Sequence, residues 1–162
     1  MPTYKLIAST TVGSGGAASI DFSSIPSTYT DLVIKGSVMN SQGIANTITI
    51  AFNGSTTATV RYLEGAGSGT PASGTSFNWA ASSNDITNTP SNWEIYIPNY
   101  AGSINKSWAT DSVVENNATL AYATLIAGLW SNTAAINQIT LTQTGSNFRQ
   151  YSTCYLYGIK NS

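Results

Sequence analysis

Apolar and polar residues alternate along much of this chain with a period of two. In Thr47-Ile48-Thr49-Ile50-Ala51-Phe52, one side collects Ile48, Ile50 and Phe52, the other Thr47, Thr49 and Ala51. Trp93-Glu94-Ile95-Tyr96-Ile97 and Gln138-Ile139-Thr140-Leu141-Thr142 repeat the pattern. Successive side chains of a strand point to opposite faces, so each segment predicts a β-strand with one wet and one dry side. The same reading predicts strands over Tyr4–Ser9, Ala18–Phe22, Leu32–Met39, Ala58–Leu63, Ser76–Ala80, Ala121–Trp130 and Thr153–Ile159, all rich in residues that suit pleated, half-buried positions. Thr124-Leu125-Ile126-Ala127-Gly128-Leu129-Trp130 is different: it is apolar almost throughout and reads as a buried strand. The residues before it, from Glu115, are expected to begin as a helical turn capped by Asn117.

Turn signals separate these segments at short intervals. Asn53-Gly54 is the strongest, because both residues accept the positive φ of a type I′ turn, and it predicts a hairpin joining Thr47–Phe52 to Ala58–Leu63. Residues 65–75, with four glycines and a proline, are unfit for a central strand and are expected to form a long loop. About ten short strands with frequent turns point to one all-β domain spanning residues 1–162, a sandwich or a barrel. Residues 1–10 would be an arm or an edge strand. Ile48, Ile50, Phe52, Ile95, Ile97, Ile139 and Leu141 are the expected core.

Charge changes this picture more than length does. Only 8% of residues are charged, against roughly 25% in an ordinary soluble domain. Ser, Thr and Asn supply 59 of the 162 residues and take over the solvating role. A net charge of −1 with scattered signs gives duplex nucleic acid no electrostatic footprint. No segment approaches the roughly 20 apolar residues of a membrane helix, so no membrane insertion is expected. The apolar run Leu6-Ile7-Ala8 is too short for a secretory signal.

Candidate chemistry is sparse. Without histidine, imidazole acid–base catalysis and imidazole metal ligation are excluded. The lone cysteine, Cys154, sits in an alternating run and reads as a buried structural thiol. Gly67-Ser68-Gly69 lacks the spacing of a nucleophile elbow, and the Gly-rich segment lacks the ending of a phosphate-binding loop. Asn105-Lys106-Ser107 is read as a turn. Seven carboxylates lie dispersed, with no pair at a spacing that suggests sugar hydrolysis. Asp111 and Glu115, with Asn116 and Asn117 beside them, offer oxygen ligands for Ca²⁺, although a solvated loop explains them better. No catalytic residue, cofactor or resident metal is therefore expected, and no enzyme activity. Among the aromatics, Trp93 and Trp130 fall on apolar strands and are assigned to the core. Trp79, Tyr100 and Trp108 fall beside turns or polar stretches, where exposed rings would contact a glycan or a partner protein.

The stretch Ser19-Ile20-Asp21-Phe22-Ser23-Ser24-Ile25-Pro26-Ser27-Thr28-Tyr29-Thr30-Asp31-Leu32-Val33-Ile34 resembles a domain that recurs in virion proteins of tailed bacteriophages, the marine and cyanobacterial phages in particular. Ile97-Pro98-Asn99-Tyr100-Ala101-Gly102 and the ending Tyr155-Leu156-Tyr157-Gly158-Ile159-Lys160-Asn161-Ser162 are similar to the same group, so the resemblance covers nearly the whole chain. It implies an antiparallel β-sandwich of jelly-roll type and a place on the phage particle after synthesis in the host cytoplasm. It carries no catalytic residues. The chain holds no fibrous repeat or heptad shaft, which favours a capsid decoration or cement protein over a fibre tip. The expected partners are the major capsid protein or other virion proteins and further copies of the chain, as a homo-oligomer with a trimer foremost. A receptor- or glycan-binding module, contacting host surface glycan, is the alternative.

Overall fold

The computed structural model describes residues 2–42, 46–66, 69–75, 80–83, 89–115 and 121–160, with the side chains of 80–83 left aside. Among them are twelve strands and no helix. In chain order these are β1 Thr3–Thr11, β2 Ser19–Phe22, β3 Asp31–Val38, β4 Asn46–Phe52, β5 Thr59–Ala66 and β6 Ala72–Gly74. They are followed by β7 Ala80–Ser83, β8 Ser91–Pro98, β9 Lys106–Glu115, β10 Ala121–Trp130, β11 Ile139–Gln143 and β12 Thr153–Lys160. All pairings are antiparallel. The broad sheet runs β1-β12-β3-β8-β9-β10-β5-β6, and the narrow sheet β2-β11-β4-β7.

This order is that of a jelly roll carrying an extension. Setting aside β5, β6, β9 and β10 leaves eight strands; renumbered consecutively, they lie as 1-8-3-6 in one sheet and 2-7-4-5 in the other. That is the double Greek-key arrangement of jelly rolls. The four remaining strands continue the broad sheet beyond β8 and nearly double its width.

The core lies between the sheets and is built by the period-two pattern. Ile48, Ile50, Phe52, Ile95, Ile97, Ile139 and Leu141 are all buried as expected, together with Trp93 and Trp130. Two indoles set the spacing. Trp93 lies over its cross-strand partner Gly36, and Trp108 over its partner Gly128; a Cβ added at either glycine would come within 2.1 Å of the ring. Phe52 meets Trp108 edge-on at 5.2 Å, which joins the narrow sheet to the extension. Cys154 is fully buried, and burial pushes its thiol up to about 12. Lys106 is buried as well; its ammonium donates to the carbonyls of Ile104 and Asn132, and desolvation lowers its pKa.

Three local expectations are corrected. Lys106 and Ser107, read as part of the turn Asn105-Lys106-Ser107, and the polar stretch after them begin β9, an interior strand paired with both β8 and β10. Its inward residues include Lys106, Thr110 and Ser112, which disguise the alternation. Asn53-Gly54 does form the tight turn, with φ of 50° and 79° and reciprocal hydrogen bonds between Phe52 and Ser55. It does not close a hairpin, because β4 and β5 belong to different sheets. The Asn53 side chain instead binds the segment leading into β11: its Oδ1 accepts from the Asn137 and Gln138 amides, and its Nδ2 donates to the Ala135 carbonyl. The Gly-rich segment contributes β6, a three-residue strand at the sheet edge. The proposed helical turn with its Asn117 cap and most of the Ser76–Ala80 strand lie outside the described residues. Residues 3–11 form an edge strand rather than a free arm.

Candidate functional site

Two of the three aromatic residues proposed from sequence, Tyr100 and Trp108, are buried rather than on the surface. Tyr100 is fully buried, and its hydroxyl donates to the Pro26 carbonyl; burial raises its pKa. Trp108 points inward from β9 and is buried against Gly128 and Phe52. Neither presents an open ring face, which stacking on a sugar requires. Trp79 lies outside the described residues. Asp111 and Glu115 both point outward on β9, four residues and therefore about 13 Å of strand apart. Among the described residues no cluster of three metal-ligating side chains exists.

The register instead assembles a different set on the outer face of the broad sheet. One row across the strands reads Tyr155, Lys35, Glu94, Asp111, Leu125, Leu63 and Ser73. The next reads Tyr157, Val33, Tyr96, Ala109, Ala127 and Arg61. Small Ala109 and Ala127 leave a depression between larger neighbours, part of an open trough of about 760 Å³. Tyr96 stands at one end, Glu94, Asp111, Leu125 and Leu63 line one side, and Ser73, Gly74 and Thr75 line it beyond Arg61. Three interstrand steps separate Tyr96 from Arg61, about 14 Å.

Polar contacts on this face are few. Lys35 and Glu94 form an ion pair at 2.7 Å, and Glu94 raises the Lys35 pKa. Both groups are about half exposed, so the pair adds at most about 1 kcal/mol. The Tyr96 hydroxyl donates to Asp31 Oδ2 at 2.9 Å, while Asp31 Oδ1 accepts from the Asn99 amide. Burial, then the Asp31 hydrogen bond, raises the Tyr96 phenol. Glu94 and Asp111 are cross-strand neighbours on one surface, set side by side rather than opposed across a cleft. The arrangement suits binding.

Large apolar groups crowd both ends. Leu63 and Leu125 are about 60% exposed; Val113 lies diagonal to Leu125 at 49%, and Leu129 stands four residues further along β10 at 39%. At the β1 end, Tyr4 and Leu6 are half exposed; Tyr4 packs edge-on to Tyr157, which stacks on Tyr155. Sequence reasoning missed these residues because alternation assigns outward positions to water. The one available signal was the apolar β10 run: a strand wet on one side alternates, and a strand covered on both sides does not.

No family model, curated protein or solved structure matches the chain.

Proposed function

We propose that this chain is a structural protein of a bacteriophage virion, a capsid decoration protein that binds neighbouring subunits through the outer face of its broad sheet. The observation that carries the reading is the apolar character of that face at both ends. Large exposed patches on an otherwise well-packed domain mark interaction surfaces. The β1 end, with Tyr4, Leu6 and Tyr155 beside an unpaired strand edge, supplies the contact to the major capsid protein. Low charge reduces repulsion among copies crowded on a shell. Jelly rolls recur in viral capsids and in lectins, an analogy of fold that raises the reading without establishing it. Electron microscopy of whole particles tests it: copies in a regular array on the head support the proposal, and copies confined to the tail or absent from purified particles overturn it.

A second reading, a glycan-binding module, is favoured by one observation. Tyr96, with its ring partly open, stands beside the hydrogen-bonding carboxylates of Glu94 and Asp111 in the trough. Host-glycan binding abolished by Tyr96→Ala, with the fold intact, would establish it.

A further inference from the structure

We propose that the outer surface of β10 is an interface between two copies of this chain, related by a two-fold axis running along that strand. The inference deepens the assembly part of the virion reading and rests on it for its biological setting, while its evidence is separate.

The first argument is the residue code of β10. Its outward residues are Ala123, Leu125, Ala127 and Leu129, and its inward side carries Ile126, Gly128 and Trp130. Such a strand is written for cover on both faces. Within one chain only the inner side is covered, and the outer side remains exposed.

The second argument is charge. β9 and β5 flank β10 and place charges beside its apolar stripe: Asp111 next to Leu125 on one side, with Glu115 further along the same strand at Ala121, and Arg61 next to Ala127 on the other. Arg61 donates to the Val60 carbonyl but meets no carboxylate, and Asp111 meets no cation, among the described residues. They lie two strands apart, about 10 Å, on opposite sides of β10. A two-fold axis along β10 exchanges the two sides. It sets Arg61 of one copy over Ala109 of the other, beside Asp111, and the second pair forms by symmetry. Leu125 then meets its own counterpart at the axis. The interface is isologous, the commonest arrangement in homo-oligomers. The aligned stacking of the two broad sheets matches ordinary sheet packing. This pattern favours a two-fold pair over the trimer implied by the phage resemblance, and it leaves the tyrosine end free for the shell.

Sedimentation of the full chain over a concentration series tests the inference. The natural chain is expected to dimerise. Leu125→Asp should yield monomer, with an unchanged far-ultraviolet circular dichroism spectrum. Arg61→Asp and Asp111→Arg should each raise the dissociation constant roughly tenfold or more. The double variant, which restores opposite charges across the axis only, should recover to within about threefold of the natural chain. A monomer at all concentrations, a trimer, or a dimer insensitive to the charge changes would overturn the proposal. A monomer that still decorates heads would overturn it alone; a dimer absent from particles would overturn only the virion reading.

Discussion

The two outward surfaces of this sandwich solve the same problem differently. On the narrow sheet the outer rows are Asp21, Thr140 and Ala51, then Ser19, Thr142 and Thr49. These groups satisfy one another: Thr140 and Ser19 donate to the two Asp21 oxygens at 2.6 and 2.5 Å, and Thr47 bonds Thr144 further along. On the broad sheet the corresponding rows start at Tyr155 and Tyr157, and the first carries Leu125 and Leu63 toward its far side. One chain therefore carries a surface finished for water by short hydroxyl side chains and another left apolar. Composition alone blends the two into an unremarkable average.

Both surfaces rest on one core, and the largest expected effects come from hollowing it. Trp108→Ala beneath the broad sheet should cost about 3–5 kcal/mol, and Leu141→Ala beneath the narrow sheet about 2–5 kcal/mol. Chemical denaturation should show one cooperative transition in each case; two separate transitions would divide the sandwich into independent parts.

The thiol beneath the tyrosine end comes next. With Cys154 raised from 9.0 to about 12, its native labelling at pH 8 should run about a thousandfold below that of the unfolded chain. The folded state holds this proton where the unfolded chain has released it. The thiol's contribution is thus fully present below pH 9 and is lost as pH rises from 9.0 toward 12. Urea midpoints of the natural chain and Cys154→Ala, compared across that window, should show the variant losing less.

A surface exchange sharpens the contrast directly. Leu125→Thr should leave folding stability within about 0.5 kcal/mol while weakening association, and Thr142→Leu should add an apolar site to the narrow sheet and promote association there. Light scattering and thermal melts separate the two effects. The smallest change is expected for Asp21→Ala, which removes two exposed hydroxyl contacts and should cost less than about 1 kcal/mol.

Much of the fold was legible because strand alternation is a local property. Ile48, Ile50 and Phe52 reveal their burial without reference to the rest of the chain. Pairing is not local. The Asn53–Gly54 turn was recognisable from two residues, yet its Asn53 side chain serves a segment more than eighty residues later, and β4 pairs with β11 rather than β5. Trp108 was misplaced for a related reason: Thr110 and Ser112 look solvated until Ile95, Trp93 and Thr124 are known to lie across from them. The candidate surface was the least legible part. Leu63, Tyr96 and Arg61 come together only through the order of β8, β9, β10 and β5, and no short motif encodes that order.

Strand β12 lies between β1 and β3, holding the first strand of the chain to the third. During synthesis, β1 and β3 emerge far ahead of it, each with an edge awaiting the same partner. The broad sheet therefore cannot close until residues 153–160 have left the ribosome. Contacts this distant in sequence slow folding, and unpaired edges meanwhile invite pairing between nascent chains. Sparse charge offers those edges little protection, so the timing of release and the concentration of neighbouring nascent chains should govern how much protein reaches the folded state.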